Sequence, residues 1–232
     1  MMWVLEAIWA SSIILKMIKI LEKIYTRLGF NALVSGQYIK AEKYFSKLCK
    51  DTAGAMGTNH NLGLVYLARE EFEKAEICFC RELEKFGETY DRVKVLGDLY
   101  YAARNPGQSL KYYQRAKALA SKEPDLPWVL QRIKICKDAE KFREAGIGIR
   151  LYKEGLGAEA ENNFARAKEC YAQAVLRDPT HILALNNAGA CCQRQGDLSR
   201  AETYFRRAYE LSGVPAIGEN LKKIKKANTA HH

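Results

Sequence analysis

The sequence has little that would break a helix. Five prolines and sixteen glycines are spread over 232 residues, in a composition rich in Ala, Leu, Lys, Glu and Arg, which form helices readily. A chain of this length buries a continuous core unaided, so neither disulfides nor metals are required. Metal-type cysteine spacing is also missing. The seven cysteines, Cys49, Cys78, Cys80, Cys136, Cys170, Cys191 and Cys192, are odd in number and form no CxxC pair. They read as free, buried thiols of a reducing, cytoplasmic compartment.

Histidine is scarce: four residues, two of them at the C-terminal end. His60 and His181 have no Cys, Ser or carboxylate at a spacing that spells a mechanism. Gly146-Ile147-Gly148 follows no strand, so it is not a phosphate-binding loop. An enzyme is therefore not expected, and neither a cofactor nor a metal site is. Long hydrophobic runs are absent too. The longest uncharged run of the apolar N-terminal segment, Ala7 to Leu15, is well short of the roughly 20 residues that span a bilayer, and no basic start or small-residue cleavage site marks a secretory signal. The net charge of +10 admits acidic partners, but the basic residues mostly alternate with Glu or Asp. The one dense run, Lys222, Lys223, Lys225 and Lys226, lacks interleaved aromatics, so a nucleic-acid partner is not expected.

What the chain does have is a period. An aromatic or leucine is followed three residues later by alanine at Tyr38/Ala41, Phe72/Ala75, Phe142/Ala145, Phe164/Ala167 and Leu198/Ala201, each just after a turn. Apolar residues recur at helical spacing before and after each turn, which makes each unit a helical hairpin. The first helix carries Gly29, Gly63, Gly97, Gly155 or Gly189, and the second carries Phe45, Phe79, Tyr113, Tyr171 or Phe205. Glycine inside a helix costs about 1 kcal/mol relative to alanine, so its recurrence calls for close helix approach. This pattern resembles the tetratricopeptide repeat, a 34-residue helix-turn-helix unit. Its best instances are Leu185-Asn186-Asn187-Ala188-Gly189 with Gly196 to Ala201, Phe205 and Ala208, and Asn61 to Tyr66 with Phe72, Ala75 and Phe79.

The resemblance implies an all-α, right-handed superhelical solenoid of antiparallel helix pairs, with about five to six repeats. The expected organisation is an apolar helix over 1–21, three repeats over 22–123, a degenerate repeat or linker over 124–147, two repeats over 148–215, and a capping helix and tail over 216–232. In the third repeat Pro106 stands where the aromatic belongs and Ser109 where the alanine belongs. Trp128 and Phe142/Ala145 look like remnants of a sixth unit whose second helix merges into the next.

In this family the first helices line a groove that binds extended segments or helices. Carrying those positions over names Thr26, Phe30, Leu33 and Val34, then His60, Leu64, Leu67 and Ala68, as an apolar half. Lys94, Asp98, Tyr101 and Ala102, with Asn186, Ala190, Gln193 and Arg194, form a polar half. The alternative reading of Phe30 and Leu64 is plain packing. Thr26, Phe30 and Leu64 replace the Lys and Asn residues with which relatives clamp a chaperone's C-terminal carboxylate, and Asp98 would repel one. The implied function is a non-enzymatic scaffold that holds another protein or peptide during assembly of a larger complex.

Met1 to Leu21 is rich in Trp, Ile and Leu, and Lys16, Lys19, Lys23 and Arg27 lie along one face. The segment suits an intramolecular docked helix, a homo-oligomer contact, a membrane surface or a partner-binding helix. Membrane-associated self-assembly is accordingly the alternative function. The segment and the apolar half of the groove, being adjacent, are expected to cover one another. Circular dichroism should show helix without a sheet signal. Thiol counting after denaturation without reductant should find all seven cysteines, whereas stoichiometric disulfide would overturn the compartment.

Overall fold

The computed structural model describes residues 2–51 and 56–230. They form twelve helices and, among the described residues, no strand. Two compact units divide at Ala103/Arg104. The first contains α1 (Met2–Val34), α2 (Tyr38–Asp51), α3 (Thr58–Ala68), α4 (Phe72–Phe86) and α5 (Tyr90–Ala102). The second contains α6 (Pro106–Leu119), α7 (Leu126–Cys136), α8 (Ala139–Ala160), α9 (Phe164–Arg177), α10 (Ile182–Arg194), α11 (Leu198–Ser212) and α12 (Pro215–Ala230).

Helix starts follow the side chains that can satisfy the first free N–H groups. Asn105, Asp138, Asn163 and Asp197 each accept, at 3.1 Å, from the backbone N–H three residues on. His181 does the same through Nδ1, accepting from Ala184 N–H at 3.2 Å. Helix ends show the period in the backbone itself. Gly36, Glu70, Arg104, Asn162 and Gly196 all have φ between 58° and 77°, and apart from the interruption before Asn162 they are spaced 34 residues apart. Three of the five are not glycine; Glu70 and Arg104 each bear a cost of about 1–2 kcal/mol for the left-handed conformation, which Asn162 adopts more readily.

The hairpins α1/α2, α3/α4, α8/α9 and α10/α11 are the closest helix pairs, with α2 also on α3, α4 on α5 and α9 on α10. Each of those four hairpins is locked in the same way. The ring of Phe45, Phe79, Tyr171 or Phe205 is buried and fills the space beside Gly29, Gly63, Gly155 or Gly189. A Cβ at Gly63 would stand 2.5 Å from the Phe79 ring, and one at Gly155 2.5 Å from the Tyr171 ring. Ala41, Ala75, Ala167 and Ala201 are fully buried at the facing positions.

The irregular part lies in the second unit. Ser109, at the alanine position, is fully buried and accepts from the Cys136 thiol at 3.5 Å. Tyr113 meets the edge of Trp128 with ring centroids 5.8 Å apart. The Trp128 indole donates to the Thr180 carbonyl at 2.8 Å, and Arg132 lies 4.8 Å over the same indole while pairing with the wholly buried Asp178 at 3.3 Å. α7 packs on α6, α8 and also α11. α8 is one 22-residue helix carrying both Phe142/Ala145 and Gly155. Gly146 and Gly148 lie within it, against the Arg104 guanidinium and the Ala174 carbonyl. α12 buries Ile217, Leu221 and Ile224 on α11.

α1 differs from the expected arrangement. It runs unbroken to Val34, so the opening segment and the groove positions Thr26, Phe30, Leu33 and Val34 lie on one continuous helix. The docking of the apolar side chains from Trp3 to Leu15 lies outside the described residues. Among the described residues no helix is long and apolar enough to cross a membrane.

Gly63→Ala should lower stability by about 1–3 kcal/mol, because overpacking against a buried ring outweighs the gain in helix propensity. Gly157→Ala, in the same kind of helix but with open space around its Cβ, should be neutral or stabilising by up to about 1 kcal/mol. Urea unfolding of the two variants checks the contrast.

Burial lowers the His181 pKa to about 4 from 6.5. The unfolded chain therefore binds the proton first, and stability contributed by the neutral ring is complete above pH 6.5 and drains away as pH falls toward 4. His181→Asn keeps a cap acceptor and should remove a pH-dependent loss on the order of 2–3 kcal/mol from unfolding curves taken between pH 7 and 4.

Candidate functional site

The groove positions of the first unit lie on α1, α3 and α5. Leu33 packs into the core formed around Ala32, Ala41 and Phe45, and Thr26 is half-buried. Phe30 meets the edge of Phe45 at 5.7 Å yet stays partly exposed, and Val34 is 86% exposed. On α3, His60 lies 5.7 Å from the Phe79 ring, and burial holds its pKa below the usual imidazole range. Leu64 and Leu67 are half-buried, while Ala68 is exposed. On α5, Lys94 lies 5.7 Å from the Tyr90 ring. Asp98 and Ala102 are half-buried. Tyr101 is buried and has almost no surface to offer.

In the second unit Asn186 and Ala190 are half-buried, and Gln193 and Arg194 are exposed. The Asn186 amide donates to Asn187 Oδ1 at 3.3 Å. Arg194 is less free than its exposure implies. It pairs with Glu159 at 3.1 Å and its guanidinium lies 5.4 Å from the Phe164 ring. The other Glu159 oxygen accepts from the Tyr171 hydroxyl at 2.8 Å. Burial first, and that carboxylate second, raise the Tyr171 pKa well above its usual value.

Sequence reasoning missed the partners on α8. Subtracting one period of 34 from Asn186, Ala190 and Gln193 gives Tyr152, Leu156 and Glu159. Tyr152 rests 4.5 Å from the His181 ring and 5.7 Å from Tyr171, and Leu156 is exposed. Gly155 and Gly189 already gave this register, but the groove positions of that repeat were not carried over. Consecutive first helices thus present an aromatic ring, an exposed leucine, two amides and one ion pair on one surface. Such a surface can accept and donate hydrogen bonds along a peptide backbone and receive an apolar side chain. No cluster of metal-ligating side chains occurs among the described residues.

Comparison with known proteins matches residues 144–212 to the tetratricopeptide repeat model. The RNA polymerase-associated protein CTR9 of Caenorhabditis elegans is 25% identical over 183 residues, which are 75% of this chain and 14% of that protein. Among solved structures, YrrB, a tetratricopeptide-repeat protein with an unusual peptide-binding site, is 20% identical, with 86% of this chain and 90% of that one covered and a TM-score of 0.41. The TPR2AB domain of yeast Sti1, in complex with pHSP90, is 14% identical over 90% of this chain and 84% of that one, with a TM-score of 0.45. Residues 144–212, which run from within α8 to the end of α11, match the tetratricopeptide repeat, and the same glycine and aromatic interlock recurs in α1/α2 and α3/α4.

Proposed function

We propose that the chain is a non-enzymatic scaffold that holds a segment of another polypeptide against the first helices of its repeats, in the assembly of a larger complex. The observation that carries this reading is the register match on α8 and α10. Tyr152, Leu156 and Glu159 on α8 stand one period before Asn186, Ala190 and Gln193 on α10; Tyr152 and Glu159 also contact the interlocking Tyr171, while Leu156 and Gln193 are exposed. Amides spaced along a helix suit the alternating carbonyl and N–H groups of a peptide, and Leu156 suits an apolar side chain. Phe30, Val34 and Leu64 offer the first unit a more apolar surface, suited to a helix or a branched side chain.

A reducing, cytoplasmic location belongs to the same reading and is supported by the thiols. All seven cysteines are unpaired, and burial is the largest cause raising the pKa values of Cys49, Cys78, Cys80, Cys136, Cys191 and Cys192, which keeps them protonated and inert.

Peptides selected against the full chain from a random display library test the proposal. Asn186→Ala with Gln193→Ala should weaken the selected peptides about tenfold or more, equivalent to about 1.4 kcal/mol, with unchanged circular dichroism and melting temperature. Leu64→Asp should do the same to peptides that use the first unit. Full affinity in both variants would return these positions to the role of solvated surface.

A further inference from the structure

α1 carries more apolar surface than its hairpin uses. Tyr25, Gly29, Ala32 and Leu33 face α2 and the core around Phe45. On another side Met17, Ile20, Leu21, Ile24 and Leu28 are between 38% and 57% exposed. Met17, Leu21, Ile24 and Leu28 follow at intervals of four, three and four, the seam spacing of paired helices. Lys19, Lys23 and Arg27 lie outside this seam, with Glu22 and Thr26, around a separate surface depression.

The repeat itself indicates what such a face meets. One period after Ile24 and Leu28 stand Thr58 and Leu62, both buried, with α2 packed on α3. In the last hairpin the same places hold Ala184 and Ala188, both buried, with α9 packed on α10. On α8 they hold Arg150 and Glu154, which are exposed. On α5, with α4 packed alongside, they hold Arg92, half-buried, and Leu96, buried; the Leu28 place thus carries Leu62, Leu96 or Ala188 where it is buried and Glu154 where it is exposed. α1 has the covered kind of residue on an open face.

From this we infer that a second copy of the chain covers the stripe, α1 packing on α1 across a two-fold axis. The face is uncharged and self-complementary, as an isologous contact requires. The intervals of four and three run on in the sequence through Ile14, Ala10, Ala7 and Trp3, so the seam is long enough for a two-helix coil. Paired over that length, the two helices bury an area on the order of the 1,200 Å2 at which stable interfaces begin. Since Lys19, Lys23 and Arg27 flank the seam rather than enter it, the remaining opposition is the long-range repulsion of two chains of charge +10, which salt screens. Pairing places two partner-binding surfaces in one particle, so a partner with two docking segments gains avidity. This interface is distinct from the groove and stands or falls separately from it.

Sedimentation velocity of the full chain at 50 and 500 mM salt tests the inference. The expected species has twice the 26.3 kDa chain mass, with a dimer fraction that rises with salt. Leu21→Glu with Ile24→Glu should raise the dimer dissociation constant at least a hundredfold without loss of helical content. Lys19→Glu with Lys23→Glu should leave the dimer intact, which guards against a general folding defect. Flotation with phosphatidylserine vesicles distinguishes the rival occupant. A monomer that floats, and is released by salt or by the lysine substitutions, assigns the stripe to an anionic membrane and overturns the dimer. A monomer that binds no vesicle, or a dimer indifferent to Leu21→Glu with Ile24→Glu, overturns it as well.

Discussion

Everything regular in this molecule depends on a missing side chain. Where Gly29, Gly63, Gly155 and Gly189 stand, the first helix has a gap one methyl group deep, and an aromatic ring from the second helix fills it. That contact sets the separation of the two helices and buries the largest apolar group of each hairpin. The alanines of the second helix, Ala41, Ala75, Ala167 and Ala201, keep the other side of the crossing equally close. With the helices held so near, the outward positions of the first helix need not contribute to packing. That freedom leaves the exposed Leu156 and Gln193 and the half-buried Asn186 outside the crossing.

Where the interlock is interrupted, polar chemistry replaces it. Between the third and fourth repeats the corner is built from Trp128, Arg132, Asp178 and Thr180. Asp178 Oδ1 accepts from both the hydroxyl and the N–H of Thr180, at 2.6 and 3.0 Å, while its other oxygen faces Arg132. A buried ion pair adds little net stability over a well-packed apolar pair, but losing one partner leaves a charge stranded, which fixes the geometry firmly. His181, one residue beyond Thr180, belongs to the same corner, and its low pKa follows from that burial.

The hairpins were legible in the sequence because their cause is local and periodic. Glycine, aromatic and alanine recur at fixed offsets, and the turns fall where Asn, Asp or Gly can cap. The left-handed residues Glu70 and Arg104 were not legible, since no side-chain preference announces them and only the period places them; Asn162 is of a type that adopts this conformation more readily. The corner at Trp128 was hidden for a different reason. Its contacts join residues about fifty positions apart, as Trp128 with Thr180, and no spacing rule reaches that far. On the candidate surface, Arg194 could be named from its register but its tie to Glu159 could not, because an ion pair between neighbouring repeats leaves no mark in the spacing. The continuity of α1 through Val34 was missed because a change of composition near residue 21 looked like a boundary, although nothing there stops a helix.

The contact of α7 with α11 has a consequence for how this chain can change in length. Repeat arrays are ordinarily open-ended, each hairpin touching only its neighbours, so that units can be gained or lost at little cost. In the second unit α7 meets α8, α8 meets α9, α9 meets α10, α10 meets α11, and α11 returns to α7. A closed circuit of five helices counts its members. Inserting or deleting a hairpin between Leu126 and Ser212 would separate α7 from α11 and expose the Trp128 corner, so this part of the array is fixed in number, whereas a stack without such a return is free to lengthen.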